Sequence, residues 1–157
     1  MRLSVAAAGR LRAGPEASLI ADYSGRILGL GRGLGVTAFD IREIEAPKGL
    51  SADKRRERES ALLIEATPGA RRLALDERGA NLSSEEFAKR IADLRDAGAG
   101  ELAFLIGGAD GHHPTLKADW RIAFGRATFP HMLVRVMLVE QIYRALTILA
   151  GHPYHRA

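Results

Sequence analysis

The stretch ELAFLIGG, residues 101–108, decides the fold. From Leu102 to Ile106 every side chain is apolar, and two glycines follow. The run is too short for a typical helix. It also lacks the in-out alternation of a strand with one wet face. Such a run is expected of a strand buried on both faces, at the centre of a parallel sheet. Before it, LSSEEFAKRIADLRDAG (82–98) reads as a helix. Ser83 stands at the cap, Glu86 completes a capping box three residues later, and Gly98 closes the end. RRLALDERG (71–79) is a strand ending at Asp76. SADKRRERESALLIEAT (51–67) is a highly charged helix with Ser51 as N-cap. Further back lie a strand in GLGVTAFDIREIE (33–45), a helix in GPEASLIADYSGRI (14–27) and a strand in RLSVAAAG (2–9). After the glycines, HPTLKAD (113–119) reads as a short helix, WRIAFGRATF (120–129) as a fifth strand and loop, and PHMLVRVMLVEQIYRALTILAG (130–151) as the last helix. This alternation predicts an α/β domain with a mostly parallel sheet flanked by helices, spanning 1–157 as a single domain.

The bulk numbers are compatible with that reading. A chain of 157 residues, 46% hydrophobic and 27% charged, has enough apolar material for one core. There is no cysteine, which excludes disulfides, thiolate nucleophiles and cysteine-ligated zinc. No apolar run is long enough to span a bilayer, so no membrane partner is expected. The apolar start MRLSVAAAGR reads as a strand rather than a leader, and the expected location is the cytoplasm. A formal charge of +4 is compatible with an anionic partner such as nucleic acid, without being diagnostic of one.

Four stretches carry candidate chemistry. LIGGADGHHP (105–114) lies where the central strand ends, the place where ligands bind in open parallel sheets. Its Gly107 and Gly108 let a backbone come close to a ligand, but a plain turn explains them equally well. There is neither G-x-G-x-x-G nor a Walker lysine, which argues against a nucleotide-dependent oxidoreductase. The adjacent His112 and His113 point to opposite faces and make a poor metal pair. DKRRERES (53–60) is read as a solvated helix face with i,i+4 pairs such as Arg55–Glu59, in preference to a phosphate site. TFPHMLVR (128–135) puts Pro130 in the first turn of the last helix and Thr128 near its cap, so free N–H groups aim into the cleft. His131 is either a ligand contact or a turn holder. Finally, GHPYHRA (151–157) crowds polar groups into a terminus, where backbones usually fray. The last helix is apolar nearly all round from Leu133 to Leu149, which calls for burial on both sides. One side suits the sheet; the other suits a second subunit, or a central position within one chain.

Taken together, LALDERGANLSSEEFA (73–88), FLIGGADG (104–111), ATFPHMLVRVMLVEQIYRA (127–145) and HPYHR (152–156) resemble a known family, and RLSVAAAGRLR (2–12) fits its opening strand. That family is the large-subunit ribosomal RNA methyltransferases H of the SPOUT superfamily, which act on N3 of a pseudouridine in 23S rRNA. The resemblance implies a C-terminal trefoil knot, a homodimer, and S-adenosyl-L-methionine as cofactor. It also implies the helix 69 region of 23S rRNA within the assembled ribosome as substrate. No metal is implied, because a sulfonium methyl is already electrophilic. The family's cofactor positions fall on Leu75, Asp76, Gly107, Gly108, Ala127, Thr128, Phe129, Pro130 and His131. Its catalytic tail falls on Tyr154, His155 and Arg156. The chemistry implied is removal of the N3 proton, suited to His155, and stabilisation of charge on the flanking carbonyl oxygens, suited to Arg156. A loose tail could close over the base once RNA arrives. A non-catalytic ribosome-binding module on the same scaffold is the competing expectation.

Overall fold

The computed structural model describes residues 1–156. Five strands, β1 (Arg2–Ala8), β2 (Ala38–Ile44), β3 (Arg71–Asn81), β4 (Glu101–Ile106) and β5 (Trp120–Ala123), form one sheet in the order β2-β1-β4-β3-β5. All its pairings are parallel. β4 is central, and Leu102 through Ile106 are all buried. The apolar run at 101–108 therefore takes the predicted place.

Strand alternation sorts side chains into two cores. Leu3, Val5, Leu73, Leu102, Phe104 and Ile106 face α1 (Pro15–Gly31), α3 (Ser84–Asp96) and α4 (His131–Leu149). Ala6, Ala74, Ala103 and Leu105 face Leu63 of α2 (Ala52–Glu65). The small residues on the second face let a single helix cover it closely. On the first face α4 packs against both α1 and α3. Leu138, Val139, Ile142 and Leu146 are completely buried there, each contributing about 1.5–3 kcal/mol. The all-round apolar character of α4 is thus mostly absorbed within the chain. The exposed large apolar side chains are Leu19, Leu28 and Leu133.

Two expectations are corrected. Residues 113–119 form no helix. His113 Nδ1 lies 2.7 Å from Thr115 Oγ1, and Asp119 exchanges bonds with Arg72, accepting from its N–H and donating to its carbonyl. Those contacts tie the segment to the edge of β3 in place of a helical ladder. β3 does not end at Asp76. Both Leu75 and Ala80 pair with Ile122, so residues 76–79 bulge out of the ladder before the strand resumes. Gly79 makes the bulge possible, since a Cβ there would lie 2.5 Å from the Ile122 backbone.

The capping box of α3 forms as read, with Ser83 Oγ accepting from Glu86 N and Glu86 accepting from Ser83 N. Pro130 occupies the N-cap of α4 rather than its first turn, and neither it nor Thr128 supplies a side-chain cap. What fixes the start of α4 is Arg135. Its wholly buried side chain donates to Glu43 at 2.6 Å and to the carbonyls of Gly9 at 2.9 Å and Ala8 at 3.3 Å. Glu43 also accepts the N–H of Leu11. One buried cation therefore joins α4 to the carboxyl ends of β1 and β2.

Candidate active site

The carboxyl ends of β3, β4 and β5 open on a cavity of about 700 Å³, an ordinary size for a small-molecule site. Three segments wall it. The β3 bulge supplies Leu75 and Asp76, the turn after β4 supplies Gly107 and Gly108, and the loop before α4 supplies Ala127, Thr128, Phe129, Pro130 and His131. All nine positions expected to meet a cofactor line this one space.

Each wall is held from behind. Asp76 accepts from Arg121 Nη1 at 2.8 Å and from the N–H of Arg78 at 3.0 Å. Burial alone would raise the Asp76 pKa, but these donors outweigh it and hold the carboxyl below its usual value. Asp76 therefore stands ionised, and its bonds shape the bulge. Asn81 accepts from Gly125 N, tying the end of β3 to the third segment. No side chain caps α4, so its first-turn N–H groups remain available to solvent or a ligand.

The glycine turn is tight for internal reasons. A Cβ on Gly107 would meet the Gly111 backbone at 2.9 Å and His112 Nδ1 at 3.2 Å. A Cβ on Gly108 would meet Glu59 Oε2 at 2.8 Å. The charged face of α2 is accordingly not simply solvated. Arg55 pairs with Asp110 at 3.3 Å, and Ser60 Oγ accepts from His113 N at 3.1 Å.

Two groups that the sequence reading set aside, one as half of a poor metal pair and one as part of a solvated helix face, line the cavity. His112 is one of its lining residues, and both ring nitrogens are buried without a geometrically sound hydrogen bond. Burial lowers its pKa, Arg121 adds to the effect, and Asp76 opposes it, so the neutral imidazole is favoured. Arg56 also lines the cavity, with one nitrogen on Asp53 at 2.7 Å and a buried, unpartnered Nε. Neither was legible as a site residue, because no local spacing marks a side chain that a bulge and a turn bring together. Among the described residues no cluster of His, Asp and Glu suits a metal ion.

The tail lies elsewhere. Tyr154 packs edge-on against Tyr143, with ring centroids 4.8 Å apart, and donates to Glu140 at 3.0 Å. His155 Nε2 is 2.7 Å from Glu85 Oε1, while Arg156 is exposed. Tyr154 and His155 therefore sit by α4 and α3, and none of the three tail residues lines the cavity of its own chain. Nor does the tail hang loose: Tyr154 is half-buried against the main core.

Comparison with known proteins bears on this arrangement. The family described as "Predicted SPOUT methyltransferase" matches residues 1–155. The chain is 57% identical over 159 residues to a "Ribosomal RNA large subunit methyltransferase H" of Paracoccus denitrificans, covering 99% of each chain. It is 54% identical over 160 residues to the protein of the same name from Xanthobacter autotrophicus, covering both completely. The chain belongs to this family of SPOUT methyltransferases. In a SPOUT methyltransferase the cavity walls fit S-adenosylmethionine. Leu75, Ile106, Ile122 and Phe129 offer an apolar bed for an adenine, and the unpartnered His112 nitrogens and free α4 amides offer polar contacts.

Proposed function

We propose that the chain, as a single domain, methylates N3 of a pseudouridine in the helix 69 region of 23S rRNA on the assembled ribosome, using S-adenosylmethionine. The observation that carries the reading is the convergence of three separate chain segments on one cavity, with all nine cofactor positions in its wall. When bound, the cofactor supplies an electrophilic methyl group. The residues of the chain then do the rest. The loop 127–131 and the glycine turn hold the cofactor through backbone groups. Exposed Arg78 and Arg126 lie on cavity segments, and Arg10 and Arg12 on the loop after β1. That last loop adjoins the mouth, since a Cβ on Gly9 would lie 3.8 Å from His131 Nε2. Together these arginines suit RNA phosphates. His155 accepts the N3 proton, and Arg156 stabilises charge on the carbonyl oxygens or grips a phosphate.

Because the tail of one chain stands outside that chain's cavity, the homodimer implied by the family gains a role: each tail serves its neighbour's site. The trefoil knot belongs to the same reading, since the segments after β3, β4 and β5 all return to the cavity. The test is mass spectrometry of 23S rRNA from a strain lacking the protein, with and without a plasmid copy. Loss and restoration of a single methyl on a pseudouridine supports the proposal; an unchanged RNA refutes it. A non-catalytic ribosome-binding module would leave the RNA mass unchanged while still sedimenting with ribosomes.

A further inference from the structure

The charged face of α2 meets the glycine turn at three places. Arg55 reaches Asp110, Glu59 lies against Gly108, and Ser60 accepts from His113 N. Arg55 and Glu59 stand one helical turn apart, and Ser60 adjoins them, so one face of α2 makes all three contacts. Glu59 is the only acid among them and the most costly to place, since it is half-buried. Burial pushes its carboxyl pKa up, while the Gly108 N–H and Arg55 pull it down and Asp110 opposes them. A carboxylate withdrawn from water is retained where it meets a donor; here the Gly108 backbone against which it lies is that donor, and Arg55 adds only a nearby positive charge.

We infer that Glu59 is a positioning residue: it clamps the Gly108 backbone from outside the cavity and thereby fixes the turn 107–111 in the shape that receives the cofactor. The inference rests on the proposal that the cavity holds S-adenosylmethionine. Glu59 itself does not line the cavity, so it acts through Gly108. The absence of a side chain at Gly108 is then explained by the carboxylate behind it, which a Cβ would approach to 2.8 Å at Oε2 and 3.0 Å at Oε1. Without the clamp the turn keeps its tethers at Asp110 and His113, but its middle, where the two glycines face the cavity, is released.

The experiment is calorimetric titration of the full chain with S-adenosylmethionine, in the parent and in Glu59→Ala, Glu59→Gln, Gly108→Ala and the double variant Glu59→Ala/Gly108→Ala. Glu59→Ala should bind about tenfold more weakly, the equivalent of one hydrogen bond. Glu59→Gln keeps a carbonyl oxygen towards the Gly108 N–H and should recover most of the affinity. Gly108→Ala should weaken binding in the parent but cost little more once Glu59 is alanine, because the Cβ then enters vacated space. In turnover assays Glu59→Ala should raise KM for the cofactor and leave kcat at saturation nearly unchanged. Parent-like affinity in Glu59→Ala overturns the inference. So does an equal penalty for Gly108→Ala in both backgrounds, which would place the clash on the cofactor itself. If Glu59→Ala does not unfold cooperatively, Glu59→Asp replaces it: one methylene shorter, it should bind more weakly than Glu59→Gln, and equal binding overturns the inference. A parent chain that fails to bind S-adenosylmethionine refutes the proposed function instead, so the two failures are distinguishable.

Discussion

His112 and Asp76 stand within one cavity wall, and acid weakens the fold through both, in different pH ranges. His112 is held neutral, its pKa pulled below the ordinary 6.5 by burial. As pH falls through about 6.5 the unfolded chain takes up a proton that the folded chain refuses, so stability declines with pH from there downward. Burial works against Asp76 too, but Arg78 N–H and Arg121 win, and its pKa lies below the ordinary 3.8. Its contribution is complete above that value and is lost only as pH falls through its lower, folded value. The acid limb of the stability curve should therefore have an upper part that belongs to His112. In urea unfolding between pH 7.5 and pH 5, His112→Leu should lose less stability than the parent; parallel declines would show that the imidazole is not buried as a neutral group. The same residues mark the limit of reading from sequence. Gly107 and Gly108 were legible as a close-approach turn, but the groups they approach, His112 and Glu59, are set by tertiary placement. Asp76 was read as a strand end, which the β3 bulge overturns, and its partner Arg121 lies 45 positions away.

Elements whose determinants are local were the ones the sequence defined best. α3 has its cap, box and closing glycine within fifteen residues of one another, and the structure reproduces them. β4 is legible because burial on both faces leaves only apolar residues. The β3 bulge and the missing helix at 113–119 depend on contacts with β5 and Arg72, which no local pattern encodes. α2 and its Ser51 cap form as read, but one pair on it was misread for a related reason: Arg55 and Glu59 have the spacing of a surface pair, yet each turns to the glycine turn instead. The tail is a mixed case. Its polar density marked it as functional, but the packing of Tyr154 on Tyr143 and its bond to Glu140 make it structural as well. Deleting residues 154–157 should cost about 0.5–1.5 kcal/mol from the lost aromatic contact, read as a small drop in Tm. Cofactor affinity should survive, because no tail residue lines the cavity. His155→Ala should leave the affinity intact and slow methyl transfer by about 100- to 10,000-fold, the usual loss for a general base. Tight cofactor binding with an unchanged rate in His155→Ala would remove that residue from the chemistry. The bond between His155 and Glu85, whose carboxyl is pulled down to about 2 by its own N–H, His155 and Ser83, holds the tail against α3 and must open before the tail can close over a base. Glu85→Ala should free the tail, and a pre-steady-state assay should show a faster or equal rate of transfer, not a slower one.

At the scale of the whole molecule the question is what completes the cavity. The proposed catalytic tail lies outside the cavity of its own chain. The case for a second subunit does not rest on α4 as a whole, since α1 and α3 cover most of it. It rests on what they leave: Leu19 and Leu133 are exposed, and a groove between α1 and α4 is lined by Leu19, Leu82, Phe124, Val136 and Met137. This groove adjoins the cavity through shared residues Ala123, Phe124 and Gly125. A two-fold contact across it would bring one chain's helical face, which carries its tail, close to the other chain's mouth. Light scattering at micromolar concentration should give a dimer, and Leu133→Glu should shift it towards monomer with loss of turnover but retention of the cooperative fold. A stable parent monomer would end this account. The decisive version pairs two inactive chains, one lacking residues 154–157, the other carrying Gly107→Val to block its cavity. If each tail serves its neighbour, a mixed dimer has one complete site, made from the intact cavity of the first chain and the intact tail of the second, and activity reappears on mixing. If the tail serves its own chain, neither site is complete and the mixture stays silent.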